Sequence, residues 1–208
     1  MSEGVVKYDF TYNRSRALRR GLITPIESCR ARLYAMGLIG AYENGIGYGN
    51  ISQRVEAESF VITGTQTGDL PRLTPKHYAL VESCDDRNFC LHASGAAKPS
   101  SEALTHGTVY NLSDEINAVI HIHSMPLWKF MLEGDYLCTA DVEYGTIEMI
   151  EEVIRIYSPI DPLSNPIFAM AGHEEGILCF GRDMDEAERV LYGVIRVFLE
   201  HAQVQNMQ

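Results

Sequence analysis

The sequence predicts an α/β fold of three layers, α/β/α, with one central, largely antiparallel sheet. Three observations carry this. Short apolar, β-branched runs recur along the whole chain. Most are joined by brief polar or glycine-bearing turns, which suit antiparallel neighbours. Between them lie segments with apolar residues at helical spacing, enough to cover both faces of a sheet.

The chain supports this element by element. Residues 1–23 carry a basic cluster, Arg14, Arg16, Arg19 and Arg20, among polar neighbours and read as an N-terminal arm. Thr24-Pro25-Ile26-Glu27 has the chemistry of a helix start, with Thr as cap, Pro at the first helical position and Glu placed for a capping box. Ile26, Cys29, Leu33 and Met36 then recur on one helical face. The 43–52 stretch, with three glycines and two asparagines, is a loop able to bring backbone N–H groups close to a ligand. The segments 51–55 and 60–63 read as a meander of two strands, followed by the loop Gly64-Thr65-Gln66-Thr67-Gly68. Thr74-Pro75-Lys76-His77 opens a turn or helix, and 78–82 and 88–92 are two further strands.

Residues 99–124 hold the densest chemistry. Ser100-Ser101-Glu102 reads as a loop entering a helix over 101–111, with Glu102 and His106 one turn apart. A helix start offers free N–H groups and a positive dipole end, which suit an anion. Ala118-Val119-Ile120-His121-Ile122-His123 is a strand, so His121 and His123 share a face with Val119, and Ile120 and Ile122 take the other. Two imidazoles so placed can hold one metal ion. A buried strand that carries two histidines is the competing reading.

Residues 139–144 read as extended. Thr146 caps a helix whose buried face is Met149, Ile150, Val153, Ile154 and Tyr157. The segments 167–170 and 177–180 form a hairpin with His173 at its turn, and Asp183 opens a C-terminal helix with Ala187, Val190, Leu191, Val194, Ile195 and Phe198 inward.

Composition narrows the function. At 208 residues the chain reads as one domain over 1–208. A net charge of −11 argues against nucleic acid and anionic membrane as partners, and no apolar run is long enough to span a bilayer. Met1-Ser2-Glu3-Gly4-Val5-Val6-Lys7-Tyr8 holds no apolar leader. The five cysteines are odd in number and scattered, which points to a reduced, cytoplasmic setting rather than a disulfide framework.

Taken in order, Gly49-Asn50-Ile51-Ser52, Thr67-Gly68, Lys98-Pro99-Ser100-Ser101-Glu102 with His106, His121-Ile122-His123-Ser124 and Gly172-His173 resemble the class II aldolase/adducin family, from about residue 24 to the C-terminal helix. The resemblance implies zinc, or another divalent metal, held by His121, His123 and His173, with Glu102 as a fourth ligand in the free enzyme and the proton-transfer group in turnover. It implies a phosphate pocket built from Asn50, Thr67, Gly68, Ser100 and Ser101, and a homotetramer with sites near subunit contacts. The implied activity is aldol cleavage of a sugar phosphate or related hydroxy-carbonyl compound. An epimerase or dehydratase on the same site, or a non-catalytic adducin-like module, are the alternatives. Two departures stand out. The position where the fuculose-phosphate aldolases carry a tyrosine falls on Asp141, and the 64–68 loop holds one residue more than the pattern, so Thr63 or Thr65 could replace Thr67.

Overall fold

A computed structural model describes residues 9–205; Met1–Tyr8, on which the leader expectation rests, and the ends of the 1–23 arm and 1–208 domain lie outside them. Over its described part the expected arm is ordered structure. Strand β1 (Asp9–Arg14) pairs parallel with the strand at 90–95 along the sheet edge. Helix α1 (Arg20–Ala35) then begins one turn before the expected Thr24-Pro25 start. Pro25 sits inside it, and the Thr24 hydroxyl donates to the Arg20 carbonyl rather than capping. Burial of Ile23, one turn ahead of Ile26 on the same face, accounts for the earlier start: core packing outweighs the proline signal.

The glycine-rich stretch is not all coil. β2 (Gly40–Ala41) and β3 (Gly47–Tyr48) form a small hairpin beside the main sheet. β4 (Asn50–Arg54) and β5 (Phe60–Thr63) follow, then a short 3₁₀ turn (Pro75–His77), β6 (Tyr78–Asp85) and β7 (Cys90–Gly95). β4 and β5 are the expected meander, and β6 and β7 the two further strands expected, β6 ending three residues later than expected and β7 shifted toward the C-terminus. Helix α2 (Ala103–Asn111) leads to β8 (Ala118–His123), the expected histidine strand.

Helix α3 (Met125–Glu133) was not anticipated, although Pro126 near its start and Gly134 after its end are boundary residues. The expected extended segment at 139–144 is instead a loop, preceded by a two-residue strand, β9 (Leu137–Cys138). In α4 (Ile147–Tyr157) Thr146 caps as expected, its hydroxyl accepting from Met149 N–H at 3.3 Å. Met149, Ile150, Val153 and Tyr157 are buried as expected, but Ile156 is buried where Ile154 was expected, and Ile154 is exposed. At 3.6 residues per turn, Ile156 lies two turns above Met149, whereas Ile154 points well away from it. β10 (Ile167–Ala169), β11 (Gly176–Gly181) and α5 (Met184–Gln205) complete the chain as expected.

The sheet has nine strands in the order β1-β7-β6-β5-β4-β8-β11-β10-β9, antiparallel except at the two edge pairs β1/β7 and β10/β9. Apolar side chains of α1, α3 and α5 pack on one face with Ile120 and Ile122, and those of α2 and α4 on the other with Val119 and Leu178. These are the three layers expected. β8 lies at the centre between β4 and β11, so its register places His121 opposite Asn50 and Leu178, and His123 opposite Gly176.

Candidate metal centre

The central strand brings two of the histidines together and the β10–β11 turn adds the third. His121 Nε2 and His173 Nε2 each lie 3.1 Å from His123 Nε2. All three rings are buried. The His121 Nδ1 sits 3.1 Å from the Ile177 carbonyl, which can only accept, so Nδ1 carries the proton and Nε2 presents its lone pair inward. Burial pushes the His173 imidazole down to about 4, although Glu102 pulls it up, and burial drives His123 well below the ordinary histidine range. Neutral imidazoles are the form that binds metal.

Glu102, at the N-cap position just before α2, reaches the same point. Its Oε2 lies 3.2 Å from His121 Nε2 and its Oε1 3.7 Å from His173 Nε2. Asn50 Nδ2, from β4, donates to Oε2 at 2.7 Å. Burial opposes the charge on this carboxylate, but His121 and His173 in their protonated forms and the Asn50 amide outweigh it and hold the group below the usual carboxylate range. Glu102 Oε1 and Asn50 Oδ1 are buried acceptors with no hydrogen-bond partner. Inward lone pairs, a carboxylate and unpaired acceptors would repel one another in the absence of a shared cation. The three nitrogens all lie within 4.8 Å of one another and could hold a metal ion. The residues therefore fit a divalent metal, and a set of three imidazoles with one carboxylate suits zinc.

A cavity of about 260 Å³ opens beside this cluster, walled by the 44–50 loop, the 64–68 loop, residues 100–102, His123, Tyr144 and His173. Thr67 and Gly68 line it as expected. Thr63 does not; its hydroxyl accepts from Ile51 N–H at 3.2 Å. Thr65 also lines the wall. The 64–68 loop is fixed tightly: a Cβ on Gly68 would collide with the Gly40 carbonyl oxygen. Behind it, the buried Arg30 of α1 donates to the carbonyls of Thr67 (2.8 Å) and Gly68 (3.3 Å). Not every N–H expected to be free at the start of α2 is free. That of Ser100 bonds the Thr63 carbonyl, that of Glu102 meets the Ser100 hydroxyl, and that of Ala103 bonds the Ser100 carbonyl.

Asp141 is exposed and does not line the cavity, whereas Tyr144 from the same loop does, its ring 4.3 Å from that of His173. The sequence reading passed over Tyr144, Arg30, and the pair Tyr42 and Glu175 beside His123. The one available signal was the adjacency of Glu175 to His173 and of Tyr42 to the glycine-rich loop.

Residues 38–199 match the class II aldolase and adducin N-terminal domain family. Methylthioribulose-1-phosphate dehydratase of Serratia proteamaculans (strain 568) is 26% identical over 172 residues, 72% of this chain and 81% of that protein. The protein of the same name from Yersinia enterocolitica is 26% identical over 172 residues, covering 72% and 79%. Among solved structures, L-fuculose-1-phosphate aldolase from Thermus thermophilus superposes with a TM-score of 0.65 at 18% identity over 91% of this chain and 98% of that one. A sugar-phosphate aldolase from Thermotoga maritima gives 0.66 at 17% identity, over 90% and 96%. The match spans most of the chain, and the fold agrees across all three layers: this chain belongs to the class II aldolase and adducin N-terminal domain family.

Proposed function

We propose that the chain is a zinc-dependent lyase that removes water from a small phosphorylated hydroxy-ketone, with Glu102 as its proton-transfer group. The observation that carries this is the buried Glu102 carboxylate, fixed by Asn50 at 2.7 Å and facing three convergent imidazoles at the edge of the cavity. Zinc held by His121, His123 and His173 supplies Lewis acidity toward carbonyl and hydroxyl oxygens. The chain does the rest. Glu102 takes the proton from the carbon next to the ketone. The electron pair left behind forms a carbon–carbon double bond as the hydroxyl on the next carbon leaves. Glu102 returns its proton to that hydroxyl, which departs as water. The carbon that lost its proton carries a hydroxyl of its own, so the product is an enol, and that hydroxyl's proton moves to the neighbouring carbon to leave a second ketone. The wall at Thr67, Gly68, Ser100 and Ser101 takes the phosphate end, and Arg30 steadies it from behind.

Aldol cleavage is the second reading, and came first in the sequence expectation. It breaks the carbon–carbon bond between the first and second carbons from the ketone, one bond nearer the ketone than the carbon–oxygen bond lost in dehydration, and uses the same proton-transfer group. The 26% identity to proteins named dehydratases over most of their length favours the carbon–oxygen bond, since likeness to the aldolase structures at 18% speaks to fold alone. Five free cysteines suit a reducing compartment such as the cytoplasm, and among the described residues no helix is long and apolar enough to cross a membrane.

The test is product identity. Zinc-loaded protein is incubated separately with methylthioribulose 1-phosphate and fuculose 1-phosphate, and products are read by mass spectrometry. The expected result is a product lighter by one water from the first and little or no aldehyde from the second. Efficient release of aldehyde from fuculose 1-phosphate replaces dehydration with aldol cleavage. No turnover of either, with no solvent deuterium entering next to the ketone, overturns the lyase reading.

A further inference from the structure

Behind His123, on the side away from the other imidazoles, lies a short hydrogen-bonded chain. His123 Nδ1 is 2.8 Å from the Tyr42 hydroxyl, and that hydroxyl donates to Glu175 Oε2 at 2.7 Å. The direction of these bonds follows from the groups. An ionised carboxylate only accepts, so the one phenolic proton goes to Glu175. The Tyr42 oxygen is then the acceptor for Nδ1–H of His123. With Nδ1 protonated, the His123 lone pair sits on Nε2, the atom that faces Nε2 of both His121 and His173.

Two further observations indicate that this arrangement is held in place. Glu175 has φ +69°, a left-handed conformation that a non-glycine residue adopts at a cost and keeps where its surroundings enforce it. Its carbonyl is enlisted too, accepting from Ser124 N–H at 3.0 Å directly after β8. Tyr42, at the turn between β2 and β3, is braced by the Tyr48 ring at 4.7 Å, and Tyr48 in turn lies 5.4 Å from the His123 ring. Three segments far apart in sequence thus converge on one ring nitrogen.

We infer that Tyr42 and Glu175 form a relay that positions His123, fixing its Nδ1–H tautomer and ring orientation and raising its strength as a metal ligand. They are positioning residues: they act on the metal through His123. The inference rests on the metal reading above. Partners of this kind typically contribute about 10–100-fold in metal affinity.

The experiment measures zinc affinity by competition with a chromophoric chelator, and the visible absorption spectrum of the cobalt-substituted protein, for wild type, Tyr42→Phe, Glu175→Gln and the double variant. Tyr42→Phe breaks both bonds, and Glu175→Gln keeps an acceptor while removing the charge. Each single variant is expected to weaken zinc about 10–100-fold and to shift the cobalt bands. The double variant is expected to be little weaker than Tyr42→Phe alone, because the two residues act as one unit. Thermal melting of the metal-free proteins separates this from general damage, since a relay acting on His123 leaves those melting temperatures close to wild type. Wild-type affinity and spectra in both single variants overturn the relay while leaving the metal site intact. Simple additivity in the double variant, or affinity loss that tracks a lowered metal-free melting temperature, also overturns it. Should Tyr42→Phe fail to fold, Glu175→Gln alone decides between a weakened site and an unchanged one. A wild-type protein that binds no zinc removes the metal reading and the relay with it.

Discussion

At the scale of single residues, Glu102 carries the proposed chemistry. Its carboxylate is buried yet held below the ordinary range, by His121 and His173 in their protonated forms and by the Asn50 amide, so it is ionised and able to accept a proton at neutral pH. Glu102→Gln keeps the shape and the contact with Asn50 but removes the basicity. The variant is expected to fold and to bind zinc through the three histidines, yet to lose about 10²–10⁴ in turnover. It should also lose deuterium exchange next to the substrate ketone, measured by NMR. Exchange near the wild-type rate would place the base elsewhere. Much of this residue set was legible from sequence, because side-chain alternation on a β-branched strand assigns His121 and His123 to one face with little freedom. Tyr42 and Glu175 were not. They lie 81 residues before and 52 residues after His123, and only the packing of the β2–β3 turn against the β10–β11 turn brings them together.

At the scale of elements, α2 and β4 are joined by a buried polar network. His106 Nδ1 is 2.7 Å from the Ser52 hydroxyl, which lies 2.8 Å from the Tyr110 hydroxyl, and His106 Nε2 has no partner. Burial pushes the His106 imidazole down to about 3, although Glu102 pulls the other way. An unfolded histidine titrates near 6.5. As pH falls from about 6.5 toward 3 the unfolded chain therefore gains a proton that the native state refuses, and stability is lost across that window; above it His106 contributes no pH dependence. Urea unfolding of metal-free protein at pH 7 and pH 5 should show wild type losing more stability on acidification than His106→Gln. Equal losses would contradict the assignment. The elements themselves were read well where one periodicity dominated, as in β8, α5 and the meander. The errors came where two signals competed. In α1 the Thr-Pro cap signal lost to burial of Ile23, and the segment after β9 is a loop whose Val142 backbone packs directly against Gly172, where a Cβ would collide with it.

At the scale of the whole molecule, the site is assembled at the centre of the sheet: β4, β8 and β11 stand side by side, and the cavity opens where their loops meet. The family resemblance implies four copies with sites near subunit contacts, and Tyr144 and the exposed Asp141 lie on a loop at the cavity's edge. Multi-angle light scattering at micromolar concentration is expected to give a mass four times that of the chain, and a monomer would remove this reading. The central claim is that His121, His123 and His173 form one metal site, and metal analysis of the purified protein tests it most directly. Protein prepared without chelator is expected to carry about one divalent ion per chain, chiefly zinc, while His121→Ala carries little and His77→Ala retains it. Equal metal content in wild type and His121→Ala would contradict the account.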